Sequence, residues 1–204
     1  MQVRILPPVQ VKKLNHNNMK SKTEIKHWLN MADTASGSGG AGGDYNKGGK
    51  QEGRAKWKQG SSGMLPKQWC NIPARVSIMM QDIEPMWLLR SEVVWNKGKM
   101  RPESLDHVKR PGLSHEKIFM FTKPKAKNKF YPSLMIEKGN VWSFAPEVRS
   151  KDHSAPYPVD LPLRCLECSV RPGELVMDPF HGSGTSELAA KALGCDYVGL
   201  ELYL

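Results

Sequence analysis

The chain has 204 residues, 39% of them hydrophobic, and carries 30 Lys and Arg against 20 Asp and Glu, a net charge of +10. That length holds one domain with a sizeable core, and the basic balance favours a polyanionic partner, of which nucleic acid is the usual one. There is no long apolar run to span a membrane as a helix, and Met1-Gln-Val-Arg-Ile-Leu-Pro-Pro-Val9 lacks the apolar core and small-residue cleavage site of a signal peptide.

Residues 1–26 form a basic leader, rich in Lys and Asn with little apolar periodicity, and are expected to be disordered. Residues 35–63 are rich in Gly, Ser, Lys and Gln; they are long for a structureless loop and read as a flexible segment or one ordered by a partner. Further on, Lys117, Lys123, Lys125, Lys127 and Lys129 interleave with Phe119, Phe121, Phe130 and Tyr131, and Arg101, Lys109 and Arg110 lie in the loop before them. The cations suit phosphates, whereas the rings suit either base stacking or a core. Arg101, Lys109, Arg110, Lys123, Lys125 and Lys127 are therefore the candidate nucleic-acid contacts.

The four cysteines, Cys70, Cys165, Cys168 and Cys195, fit a reduced, cytoplasmic protein. Cys165-Leu-Glu-Cys168 is a lone C-x-x-C inside a helical stretch. Zinc would want a second pair or histidines at ligand spacing, and a thioredoxin-type pair would open a helix after a strand, so two packed small residues are expected and no metal. His115-Glu116 and Asp152-His153 invite a metal or acid–base reading.

The stretch richest in information is Asp178-Pro-Phe-His-Gly-Ser-Gly-Thr185. Glu174-Leu-Val-Met-Asp178 before it reads as a short buried strand, and Ser186-Glu-Leu-Ala-Ala-Lys-Ala-Leu193 after it as a helix, closed by Gly194 in a left-handed cap. Tyr197-Val-Gly-Leu-Glu201 reads as a second strand. Such a unit gathers backbone N–H groups and a helix N-terminus at the carboxyl ends of parallel strands, where an anionic or nucleoside-bearing cofactor binds. A Walker A loop is absent, and the third glycine of a dinucleotide fingerprint is replaced by Glu187. Glu201 follows the first glycine at about the twenty-residue spacing of a ribose-binding carboxylate.

The run D-P-F-x-G-S-G-T closely resembles the S-adenosylmethionine motif of the amino-group DNA methyltransferases, which make N6-methyladenine or N4-methylcytosine. The resemblance extends upstream. His153-Ser-Ala-Pro-Tyr-Pro158 is similar to the segment that closes over the cofactor's methionine part in that family. Trp28-Leu-Asn-Met-Ala-Asp33 resembles a strand end, and Ile72-Pro-Ala-Arg-Val76 the start of a helix. Trp87-Leu-Leu-Arg-Ser-Glu-Val-Val-Trp-Asn-Lys97 resembles a strand in which Trp87 and Trp95 are expected in the core. Met100-Arg-Pro-Glu-Ser104 and Ser114-His-Glu-Lys-Ile-Phe-Met-Phe-Thr-Lys123 are similar to the segments after it.

The match covers residues 27–204 and fits the permuted class whose glycine motif lies C-terminal to its target-recognition segment, here 98–152, with the cofactor-binding segment at 153–204. It implies an α/β, Rossmann-like methyltransferase sheet, S-adenosylmethionine as cofactor and double-stranded DNA as partner, in a prokaryotic or phage-type restriction-modification setting.

The resemblance also implies roles. Asp178 ends the strand and accepts from the cofactor's amino-acid end or from the turn. Phe180 packs under the cofactor, and Gly182, Ser183 and Gly184 let the backbone approach it. Thr185 caps the helix and reaches towards the methionine carboxylate, Glu201 holds the ribose, His153 belongs to the pocket, and Asn30 and Asp33 lie on its other side. No metal is needed, because the sulfonium already makes the methyl group electrophilic.

One part of the pattern is missing. The family carries [DNS]-P-P-[YFW], whose polar residue accepts from the target amine and whose ring stacks on the flipped base. The only Pro-Pro pair here is Leu6-Pro7-Pro8-Val9, with neither acceptor nor ring. The catalytic residues are therefore unnamed, the sheet is expected to be incomplete, and the chain reads either as a fragment or split subunit that needs a second chain for that loop, or as the product of a decayed phage-type or mobile-element gene. Two rivals stay open. A nucleotide-dependent oxidoreductase would carry glycine at 187. A non-catalytic DNA-binding protein explains the charge and leaves the glycine motif and Glu201 unexplained. RNA as substrate is a variant of the first reading.

Overall fold

The computed structural model describes residues 3–4, 8–11, 24–34, 64, 68–83, 87–98, 111–124, 130–131, 139–146 and 157–201. The elements, in chain order, are β1 (Val3–Arg4), β2 (Pro8–Val11), β3 (Glu24–Met31), α1 (Ile72–Asp82), β4 (Leu88–Asn96), β5 (His115–Thr122), β6 (Val141–Ser143), α2 (Asp160–Glu167), β7 (Leu175–Asp178), α3 (Thr185–Ala192) and β8 (Asp196–Gly199). The strands form one sheet in the order β6-β4-β5-β3-β2-β7-β8, with β1 also paired to β3.

β3 is buried on both faces, so large apolar residues stand side by side at Trp28 and Leu29 instead of alternating with polar ones. The odd positions Leu29 and Met31 join Phe119 and Phe121 of β5 under Ile72, Val76 and Met80 of α1. On the opposite face Trp28 joins Ile118, Met120, Val93, Trp95 and Trp142, covered by Leu161, Cys165 and Leu166 of α2 and Ala189 and Ala190 of α3. The result is a sheet between helices, in which Trp95 is core as expected and Trp87 packs against the α1-side cluster. Phe119 and Phe121 are 1% and 0% exposed, which makes them core residues and rules them out as base-stacking rings.

β2 runs antiparallel to both β3 and β7, so β3 and β7 point the same way. Val9 pairs with both Lys26 and Val176, which sets those two residues level across the sheet. The carboxyl end of β3, with Asn30, and that of β7, with Asp178, thus share one edge. β5 is antiparallel to β3, pairing Met31 with Lys117 and Lys26 with Thr122. Its start at His115 therefore lies at the same edge, and its end at Thr122 lies at the opposite one. β4 ends beside that start, with Asn96 opposite His115.

Two expectations change here. The leader was expected to be disordered, but residues 3–4 and 8–11 are strands. A strand between β3 and β7 satisfies the N–H and C=O groups that both would otherwise leave unpaired. The sheet is less parallel than expected, since among the described residues only β4–β6 and β7–β8 are parallel pairs. Residues 35–63 lie outside the described residues.

Candidate functional site

The glycine unit forms as read from the sequence. Asp178 is the last residue of β7 and is 1% exposed. Its Oδ1 accepts the N–H of Phe180 at 2.9 Å, which folds the chain back at once. Leu200 donates its N–H to the Asp178 carbonyl at 2.7 Å, and His181 donates to the Leu200 carbonyl at 2.8 Å. The β7–β8 ladder thus continues into the turn and fixes it. Gly182 and Gly184 take φ of +54° and +82°, a region where a Cβ is strained, and Gly184 leads directly into α3.

Thr185 is the first residue of α3 and does not cap it, because the left-handed Gly184 occupies the cap position with no side-chain cap bond. The Thr185 hydroxyl lies 3.4 Å from that of Ser183. Glu201 stands where its spacing predicted, beside the turn, and its Oε2 accepts the Gly182 N–H at 2.6 Å. Phe180, Val198 and Leu200 leave 57%, 44% and 54% of their surface exposed, an apolar margin around the turn. With the open N-terminus of α3 beside it, this arrangement can receive a nucleoside with an anionic or zwitterionic tail.

Two features of the turn are invisible in the motif. The His181 ring lies on Gly199, where an added Cβ would force that ring to shift. His181 Nδ1 is 2.9 Å from the Tyr197 hydroxyl. Burial, then the charges of Asp178, Tyr157 and Glu187, push the Tyr197 phenol well above its ordinary range, so it stays neutral. Tyr157 also reaches this cluster, with its hydroxyl 2.8 Å from that of Ser186 on α3. The Tyr in the sequence segment 153–158 was the only hint of that tie.

The remaining expected site residues divide. Asn30 sits on β3 at the shared edge, 3% exposed. Asp33 follows the strand, and its Oδ1 accepts both Thr34 N–H at 2.8 Å and Ile72 N–H at 3.1 Å. It thereby supplies the acceptor that the left-handed Asn71 cap of α1 does not, and closes the base of the 35–63 segment. His153, Arg101, Lys109, Arg110, Lys125 and Lys127 lie outside the described residues. Lys123 follows β5 at the edge away from the glycine turn, its ammonium 3.8 Å from the centre of the Trp87 ring.

Cys165 lies in α2 and Cys168 caps it. Burial raises both thiols, Cys168 to about 11, and its Sγ donates to the Cys165 carbonyl at 3.3 Å. They are inert small core residues, and among the described residues no cluster of His, Cys, Asp or Glu could hold a metal.

A sequence model described as DNA methylase matches residues 15–204. The chain belongs to this family. The type II methyltransferase M.SmaI of Serratia marcescens is 33% identical over 187 residues, covering 86% of this chain and 62% of that protein. The type II methyltransferase M.XycI of Xanthomonas campestris pv. cyanopsidis is 36% identical over 150 residues, covering 69% of this chain and 48% of that protein. The chain thus spans about half the length of such relatives.

The PvuII DNA methyltransferase (cytosine-N4-specific) superposes with a TM-score of 0.58 at 20% identity, over 66% of this chain and 54% of that one. A Thermus thermophilus protein solved with S-adenosyl-L-methionine superposes at 0.55 and 18% identity, over 87% and 63%. These likenesses establish the shared methyltransferase fold. Among the described residues, no helix is long and apolar enough to cross a membrane.

Proposed function

We propose that this chain is the cofactor-binding part of a DNA methyltransferase, one that moves a methyl group from S-adenosylmethionine to the exocyclic amine of adenine or cytosine. The observation that carries this reading is the fixed turn Asp178–Thr185 with Glu201 bonded into it, in a chain of the DNA methylase family. In this reading the backbone of Gly182, Ser183 and Gly184 lies against the cofactor and Phe180 covers its apolar part. Glu201 takes the ribose hydroxyls while holding the Gly182 N–H. Thr185 faces the amino-acid tail. Asp178 acts through the turn, since its Oδ1 is already bonded to Phe180. His153 lines the same pocket.

The reaction is an in-line displacement. The amine nitrogen attacks the methyl carbon, the carbon–sulfur bond breaks, S-adenosylhomocysteine leaves, and a proton departs from the amine. Such catalysis rests on positioning and on stabilising charge that develops at the amine. No [DNS]-P-P-[YFW] occurs in the chain, so the loop that stacks and accepts from the base comes, in this reading, from a further segment or a second chain. Arg101, Lys109 and Arg110 lie in the connection between the end of β4 and the start of β5, both at the glycine-turn edge, and serve as DNA phosphate contacts there. Lys123, Lys125 and Lys127 follow the other end of β5 and serve less well.

The test is transfer of labelled methyl from S-adenosylmethionine to unmethylated duplex DNA, followed by digestion to nucleosides, together with calorimetry of S-adenosylhomocysteine. Label in N6-methyladenine or N4-methylcytosine establishes the activity and names the base. Cofactor affinity without transfer fits a chain that needs its missing loop. Salt-sensitive DNA binding with no cofactor affinity would replace this reading with the non-catalytic DNA-binding protein.

A further inference from the structure

Among the described residues, two buried side-chain atoms have no hydrogen-bond partner, His27 Nδ1 and Asn30 Oδ1. His27 lies among Trp87 and Phe121 on the α1 side, where burial keeps it neutral with one bare nitrogen. Asn30 is different, because its surroundings hold it in one orientation. Its Nδ2 donates to Glu116 Oε2 at 3.0 Å, and the other Glu116 oxygen is held by the Lys97 ammonium. Lys97 in turn lies 4.8 Å over the Trp95 ring, and its backbone N–H is bonded to Ser114. An amide is planar with oxygen and nitrogen on opposite sides. With Nδ2 committed to β5, Oδ1 is turned away from β5, towards the side of the sheet that carries β7 and the glycine turn.

The position along β3 points the same way. Lys26 is level with Val176, so Asn30, four residues on, is level with the start of the turn after Asp178. Beyond β2, β3 is paired on that side, among the described residues, by β1 alone, two residues long, with Arg4 opposite Asn30. A bare buried carbonyl is costly, and an apolar residue would be better there unless a donor arrives. Across the edge the order is β8 with Glu201 beyond its end, then β7 and the turn, then β2 with the short β1 at its end, then β3 with Asn30. A nucleoside anchored at Glu201 and lying on the turn sends its far end towards Asn30.

We propose that Asn30 Oδ1 accepts a hydrogen bond from an amino group at the reacting end of the site, and that Glu116 and Lys97 are the positioning residues that aim it. This rests on the cofactor reading above. The amino group comes from the amino-acid tail of the cofactor or from the target base, and the two sources separate by experiment. S-adenosylhomocysteine has the tail; 5′-methylthioadenosine lacks it. Both are titrated into the full chain and its Asn30→Leu variant by calorimetry, and duplex DNA affinity is measured with S-adenosylhomocysteine bound.

If the tail is the donor, Asn30→Leu weakens S-adenosylhomocysteine by about 10- to 100-fold and leaves 5′-methylthioadenosine unchanged. If the base is the donor, both nucleosides bind as before and DNA affinity falls. Glu116→Gln keeps Asn30 but lets its amide turn over, and gives a smaller loss in the same arm, which a purely structural role would not place there. Normal binding of all three ligands by Asn30→Leu would overturn the proposal alone. No S-adenosylhomocysteine binding by the unaltered chain would overturn the cofactor reading and the proposal with it.

Discussion

The two edges of the sheet treat their polar groups in opposite ways. At the edge away from the turn, the cations are spent on the protein itself. Lys26, 1% exposed, donates to the Ser169 carbonyl at 2.9 Å and lies 5.2 Å from the centre of the Tyr131 ring, with Arg171 at 3.7 Å from that ring. Trp28 donates to the Ser169 hydroxyl at 2.7 Å, and Lys123 stacks on Trp87. At the turn edge, glycines replace side chains, Phe180 and Leu200 stay exposed, and the buried Asn30 side-chain carbonyl has no partner. A charged residue at the first edge is a rivet, whereas the second holds an ion pair, Lys97 with Glu116, beside an acceptor that has no partner. Basic sequence alone does not separate these two uses.

The largest expected effect strikes the turn edge. Gly184→Val puts a branched side chain at φ +82°, with its Cβ 3.3 Å from the His181 ring. It should lower S-adenosylhomocysteine affinity by more than about 100-fold while circular dichroism still reports a folded chain, because the backbone can no longer approach the ligand. Wild-type affinity in that variant would mean that the turn does not touch the cofactor.

At the other edge the effect falls on stability instead. Lys26→Met leaves the buried Ser169 carbonyl without its donor and should cost about 2 kcal/mol in urea unfolding, with S-adenosylhomocysteine binding unchanged. A loss of affinity rivalling that of Gly184→Val would show that the edges are not independent.

The mildest effect is a pH dependence. Burial, and then the charge of Lys123, lower the His27 pKa from 6.5 to about 4. The unfolded chain binds the proton more tightly, so the stability is fully present above pH 6.5 and is lost as pH falls from there towards 4. The slope is at most about 1.4 kcal/mol per pH unit. His27→Phe should flatten that part of the stability curve measured by urea unfolding at successive pH values, and an unchanged slope would assign the acid sensitivity elsewhere.

Much of the site was legible because it is local. The strand, the turn, the helix and the Gly194 cap between Glu174 and Glu201 are neighbours in sequence, and a short motif with its flanking periodicity reports neighbours well. The expected helix at Ile72 and the strand ending near Lys97 were legible for the same reason. The errors fall where distant segments meet. Residues 8–11 have almost no pattern of their own, yet the ladder positions between β3 and β7 give them a strand. Thr185 has the residue type of a cap, but the backbone at Gly184 had already taken that place. Asp33 was read as a residue on the pocket's far side, and the sequence gives no sign that its Oδ1 also serves the start of a helix 39 residues later.

By itself, then, the sequence determined the glycine turn, its strand partners and the acidic residue that follows, because φ above zero, a buried strand end and a helix start each require particular residue types in a row. Only the tertiary structure decided which side chains share an edge. Lys97, Glu116 and Asn30 come from three separate parts of the chain and meet through sheet order and register, and the burial that leaves one acceptor unmatched arises only once the layers are packed.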